Sequence, residues 1–250
     1  MFDVITVIVV LETFLLAGAV KGVIGLGLPT VSLALLTVVL DLQSAMALLL
    51  VPSLVTNLWQ AVVGGHAQGI LSRLWPFLVM ATVTVWIGVA ALTRLPPAVL
   101  TALLGALLVA YAGVNLGGVR LAIPTRYEAW AGPLMGAANG VLTGMTGSFV
   151  VPGVMFLHAI GLSRDVLIQA MGMLFTASTV ALAAALQQAH VLTVAHGVLS
   201  TAAVFPAMVG MIGGQRIRQR LSEQRFRTVF FVALLVLGVY IMTNAVRPLR

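Results

Sequence analysis

Five apolar stretches in this chain, at 42–63, 74–92, 97–119, 166–186 and 191–214, each run for about 20 residues. That is the length at which a helix rising about 1.5 Å per residue crosses a hydrocarbon layer about 30 Å thick. Charged residues make up only 8% of the chain, too few to coat a water-soluble globule, where they reach about 25%. The pattern specifies an all-α polytopic membrane protein. It excludes a soluble enzyme, a nucleic-acid binder and a β-barrel.

Further segments expected to be buried helices are 3–20, 29–40, 129–145, 149–160 and 228–246. Two of them, 29–40 and 149–160, are too short to span comfortably. Each follows a glycine-rich break, formed by Gly22, Gly25, Gly27 and Pro29 in the first case and by Gly140, Gly144, Gly147 and Pro152 in the second. The first apolar run ends in Ala17, Gly18 and Ala19, like a signal-peptide cleavage site. No Lys or Arg precedes it, so it reads as a membrane segment. Cysteine is absent, which removes disulfides, thiolate metal sites and cysteine nucleophiles.

The two halves resemble each other. GAVKGVIG from Gly18 matches GAANGVLT from Gly136. Pro29 then aligns with Pro152, Ala47 with Ala170, Ser53 with Thr176 and Thr56 with Thr179, and Tyr111 and Asn115 align with Tyr240 and Asn244. Residues 1–120 and 127–246 therefore read as two repeats forming one transmembrane domain. Each is a glycine-broken helix pair, either a hairpin or two short crossings, plus three spanning helices.

Arginine distribution separates parallel from inverted repeats, because cytoplasmic loops are enriched in Lys and Arg. With an even number of crossings per half the split is seven arginines against five. With an odd number it sharpens to nine against three: Arg73, Arg120, Arg126, Arg164 and the five from Arg216 to Arg227 face Arg94, Arg247 and Arg250. The sharper split predicts inverted repeats with both termini periplasmic. Trp59, Trp75 and Trp130 then flank cytoplasmic loops, where interfacial aromatic residues belong.

Inverted repeats with discontinuous helices are a transporter architecture, with substrate held near the bilayer midplane. Glycine at a break lets backbone approach a ligand, and the first N–H groups of the next half-helix have no intrahelical acceptor. An anion supplies one, favoured by the positive end of the helix dipole. Half-helices expected to start near Thr30 and Ser148 are thus paired anion cradles, with Gly25, Gly27, Thr30, Gly144, Thr146, Gly147 and Ser148 as substrate-binding candidates. The competing reading is that small residues merely allow close helix packing in lipid.

Two ionisable side chains fall deep in apolar segments, Glu12 and Lys21, and such residues are rare and usually functional. Lys21 adjoins the first break and could neutralise an anion, its repeat partner being Asn139; otherwise it snorkels from a short span. Glu12 is the proton-coupling candidate if burial raises its pKa, or else a structural carboxyl. Ser53, Thr56 and Thr176 could contact substrate oxygens or could serve interhelical hydrogen bonds. His158, His190 and His196 read as structural more readily than as proton relays. No metal cluster, nucleotide motif or catalytic constellation is present, so the chain reads as a non-enzyme without cofactor, driven by a gradient.

The segments AGAVKGVIGLGLPTVSLALL, from Ala17, and MGAANGVLTGMTGSFVVPGVMFLHAIG, from Met135, resemble the duplicated glycine-proline signature of the TauE/SafE sulfite exporter family. GGQRIRQRLSEQRFRTVFFVALL, from Gly213, is similar to the pattern before that family's last helix, and the likeness covers about residues 5–246. The first break departs from it by spacing its glycines singly where many relatives have adjacent ones. The resemblance implies a bacterial inner-membrane exporter of sulfite, sulfoacetate or another short sulfonate, with ion or proton coupling. The partners to expect are a small anionic substrate, membrane lipid and, where one forms, a homo-oligomeric copy, with no nucleic acid. The alternatives are a non-transporting membrane scaffold or assembly subunit, and an uptake carrier for a different small anion.

Overall fold

The computed structural model describes residues 2–119, 121–218 and 223–246. Among these residues there are twelve helices and no strand: α1 Val4–Ile24, α2 Leu28–Val39, α3 Leu42–Val62, α4 Ala67–Val83, α5 Val85–Leu92 and α6 Pro97–Leu116, then α7 Thr125–Thr146, α8 Gly153–Ala159, α9 Arg164–Gln188, α10 Val194–Ala202, α11 Val204–Arg218 and α12 Glu223–Val246. Arg120, Arg220, Arg247 and Arg250 of the charge count lie outside the described residues. Seven helical stretches are long and apolar enough to cross a membrane: α1, α3, α4 with α5, α6, α9, α10 with α11, and α12. The chain is an all-α, multi-pass membrane protein. α2 is a shorter apolar helix, and in α7 glycines, threonines and Asn139 dilute the apolar character.

The element order repeats. α1 to α6 and α7 to α12 each run as a long helix, a short one, a long one, a divided one and a long one. α4 and α5 are divided at Thr84, whose hydroxyl donates to the carbonyls of Met80 (2.7 Å) and Ala137 (2.9 Å), a back-bond of the kind that bends helices. The corresponding division between α10 and α11 falls at Ala203. α1 begins at Asp3, whose carboxylate accepts from the Thr6 N–H at 3.0 Å; hydrogen bonding from Thr6 holds that carboxyl below the usual carboxylate range.

The helices group into two compact units, and each draws on both halves of the chain. The first comprises Met1–Pro52, Leu95–Val119 and His190–Arg250; the second comprises Ser53–Arg94 and Arg120–Ala189. In the first unit α1 lies along α11, α6 lies along α12, and α2 packs against α1 and α12. In the second, α7 lies along α4 and α5, and α9 packs on α4, α5 and α8.

Glycine governs the closest of these contacts. A Cβ added at Gly18 would land on the carbonyl oxygen of Ala207, and one at Gly22 on that of Met211. From the other side, Gly210 and Gly214 would meet the carbonyls of Leu15 and Ala19. Gly136, Gly140, Gly144 and Gly88 do the same between α7 and the α4–α5 pair, where Gly144 faces the Val85 carbonyl and Gly88 the Val141 carbonyl. Lipid supplies no hydrophobic drive between helices, so backbone approach of this kind is what holds them. Gly105 and Gly238 face each other in the α6–α12 contact, where buried Tyr111 also meets Phe231 edge-on at 5.4 Å. Tyr240, its repeat counterpart, is exposed.

Within the first unit, Pro52 lies inside α3 and has no N–H to give the Leu48 carbonyl four residues back. The hydroxyl of Ser200, on α10, donates to that carbonyl at 2.7 Å and accepts from the Val51 N–H at 3.2 Å. In the second unit, Gln60 Nε2 donates to the Ile168 carbonyl and Gln169 Nε2 to the Ala61 carbonyl, both at 2.8 Å. The Gln169 Oε1 accepts from the His66 N–H, also at 2.8 Å.

Candidate functional site

Both expected breaks are real interruptions. α1 stops at Gly25, which is left-handed (φ 86°) and donates its N–H to the Lys21 carbonyl. Two residues on, Gly27 (φ 112°) caps α2 with no side-chain hydrogen bond. The first closed turn of α2 is Val31 N–H to the Gly27 carbonyl, 2.8 Å. The N–H groups of Leu28 and Thr30 precede it, and Pro29 has none. Lys21 is 5% exposed and Thr30 4%, so a lysine side chain and a helix start without a side-chain cap are both buried in this unit. Gly27 does not open onto space: a Cβ there would sit 3.2 Å from Val20 and 3.6 Å from Phe230. Its requirement is conformational, because L residues rarely adopt that φ.

The second break is built differently. α7 stops at Gly147, again left-handed (φ 73°), but the short helix after it begins at Gly153 and not near Ser148 as expected. The intervening segment folds back along α7. Thr143 donates its hydroxyl to the Ser148 carbonyl at 3.0 Å, the Ser148 N–H reaches Thr146 Oγ1 at 3.2 Å, and the Gly153 N–H donates to Asn139 Oδ1 at 2.9 Å. A side chain of α7 thus caps α8, and the backbone donor reserved for an anion is already paired. Pro152 supplies the reason: it lacks an N–H and disfavours helix at the residue before it.

Side-chain donors remain at this second break. With Asn139 Oδ1 fixed as an acceptor, Asn139 Nδ2 is a buried donor without a hydrogen bond among the described residues, and so is Ser148 Oγ. Ser178 Oγ on α9 is in the same condition, and Ser178 is a residue the sequence reading missed. Its helix touches the break through Phe175, whose ring lies 5.7 Å from that of Phe149. The signal available was a serine between threonines on a buried apolar helix.

Several candidates have other work. Gly144 is taken up in the α5 contact. Thr146 and Thr176 return their hydroxyls to their own helix, to the carbonyls of Leu142 and Gly172. Ser53 is fully buried, its Oγ without a hydrogen bond among the described residues, and Thr56, also buried, donates to the Ser53 carbonyl at 3.4 Å. Glu12 lies off the packed face of α1, which carries Val10, Phe14, Ala17 and Lys21, and is exposed on the outer side of that helix. Of the histidines, His158 is exposed, His190 has a left-handed backbone (φ 56°) and His196 packs on Phe2 at 5.6 Å. No group of three or more metal-ligating side chains occurs among the described residues.

No curated protein and no solved structure matches the chain. The sequence model of the family described as "Sulfite exporter TauE/SafE" matches residues 10–241, from within α1 to within α12, which takes in both breaks. With interrupted helices at equivalent places in its two halves and a family match over nearly its full length, the chain belongs to the TauE/SafE sulfite exporter family of membrane transporters.

Proposed function

We propose that this protein is a secondary transporter for a small sulfur-containing anion, such as sulfite, sulfoacetate or another short sulfonate. It works by alternating access in a bacterial inner membrane, with its two repeats inverted and both termini periplasmic. The observation that carries this reading is that Lys21 and the start of α2, seven residues further on and without a side-chain cap, are both buried. A lysine side chain and the N–H groups of a helix start together suit an oxyanion, and a buried ionisable group is rarely kept in a membrane interior without a role. Asn139 Nδ2 and Ser148 Oγ, the neutral donors of the second break, serve the same ligand class. A gradient drives the cycle, with Glu12 the candidate to carry a coupling proton.

Close helix packing, the competing account, explains Gly18, Gly22, Gly140 and Gly144. It does not explain Gly25, Gly27 and Gly147, whose left-handed backbones end or start helices. Counterflow in proteoliposomes with labelled sulfite, sulfoacetate, taurine and a carboxylate control tests transport and substrate class together. The sulfur anions exchange and the carboxylate does not. Lys21→Met lowers exchange at least tenfold in protein that elutes as a single folded species. A folded wild type that exchanges none of the four anions returns the scaffold reading.

A further inference from the structure

At one end of the second unit, the second turn of α4, the first turns of α7 and the end of α8 enclose a cavity of about 220 Å³. Leu74, Phe77, Gly132 and Phe156 form buried walls, with the rings of Phe77 and Phe156 4.9 Å apart. Arg73, Thr125 and Glu128 supply its polar lining. Arg73 Nε and Nη2 donate to the two Glu128 carboxylate oxygens at 2.9 and 2.6 Å, and Nη2 also reaches the Ile160 carbonyl at 3.3 Å. Nη1 makes no hydrogen bond among the described residues, on a side chain 41% exposed.

Charge and depth decide what belongs there. Glu128 balances Arg73, and Arg126, next to the lining residue Thr125 in the first turn of α7, adds a positive charge beside the cavity as it lies over the Tyr127 ring at 4.6 Å. The N-terminal end of α7 contributes further positive potential. Trp75 and Trp130, both well exposed, stand on the same turns, and exposed tryptophans at the ends of apolar helices mark the headgroup level of a bilayer. The cavity is below the roughly 300 Å³ at which pockets begin to enclose a whole small molecule, but it can take part of one. Basic pockets between membrane helices at this level bind anionic lipid headgroups.

We propose that this cavity seats an anionic phospholipid, its phosphodiester against Arg73 Nη1 and Arg126 and its first methylenes between Phe77 and Phe156. The site is separate from the helix breaks and does not depend on what they transport. The test is melting of the purified wild type in a mild maltoside detergent with added phosphatidylglycerol, phosphatidylcholine or sodium phosphate. Phosphatidylglycerol raises Tm by several degrees, and the other two do not.

Gly132→Leu fills the cavity and Arg126→Gln removes the positive charge beside it, and each abolishes most of the phosphatidylglycerol increment. A Cβ at Gly132 meets only ordinary contacts, 3.5 Å from Phe156 and 3.7 Å from Phe77, so Gly132→Ala folds and reports a partial loss should the leucine variant fail to fold. Equal stabilisation by phosphatidylcholine or by free phosphate overturns the proposal. So does an increment that survives unchanged in Arg126→Gln and the folded Gly132 variants.

Discussion

At Gly22 a single added carbon would land on the Met211 carbonyl oxygen, whereas at Gly113, on α6, it would meet nothing within 4 Å. Identical substitutions at these two glycines therefore act in opposite directions. Gly22→Ala forces α1 from α11 and lowers stability by about 1–3 kcal/mol, the usual range for overpacking. Gly113→Ala relieves helix-interior glycine and raises stability by about 0.5–1 kcal/mol. Thermal melts of the two variants in one detergent give both signs. Gly27→Ala falls in a third class: its nearest neighbour is a flexible valine, but the backbone at φ 112° costs an L residue about 1–3 kcal/mol. Asn139 is the residue whose sequence gave least warning of its part. As the counterpart of Lys21 it reads as a ligand, and in the fold its oxygen caps α8 while its nitrogen stays available. Asn139→Leu leaves the Gly153 N–H unpaired, and a melt should register a loss of about 1–3 kcal/mol.

Among the helices, α3 is mended from outside, by α10. Ser200 bridges the Leu48 carbonyl and the Val51 N–H at the turn that Pro52 interrupts. Ser200→Ala is expected to cost about 1–3 kcal/mol, the penalty for leaving buried backbone groups unmet. In a Pro52→Ala background the new N–H takes over the Leu48 carbonyl, so the same serine change costs less; equal costs in the two backgrounds would refute the bridge. Helix existence and order were legible, because apolar runs of spanning length have few alternatives. The second break was not legible in detail. Residues 149–160 read as one short apolar helix, yet Pro152 delays the start to Gly153, and the fold-back onto Thr143 and Asn139 depends on hydrogen bonds between residues that no period connects. The exposure of Glu12 was equally hidden. Which face of α1 packs is set by Gly18 and Gly22 meeting α11, a partner nearly two hundred residues away in sequence.

Seen whole, the compact units cut across the two halves: α1 packs with α11, and α7 packs with α4 and α5. Expressed alone, a fragment of residues 1–120 or 121–250 lacks the backbone partners of its first long helix and is degraded. Co-expression of both restores a membrane protein that purifies as one complex. Recovery of a stable, protease-resistant fragment from either half alone would contradict the interleaving. The exchange also bears on biogenesis. The glycine face of α1 leaves the ribosome nearly two hundred residues before the α11 backbone it must meet. Until then that groove stays lined by lipid or by the insertion machinery, so the first unit closes only once α11 has been made.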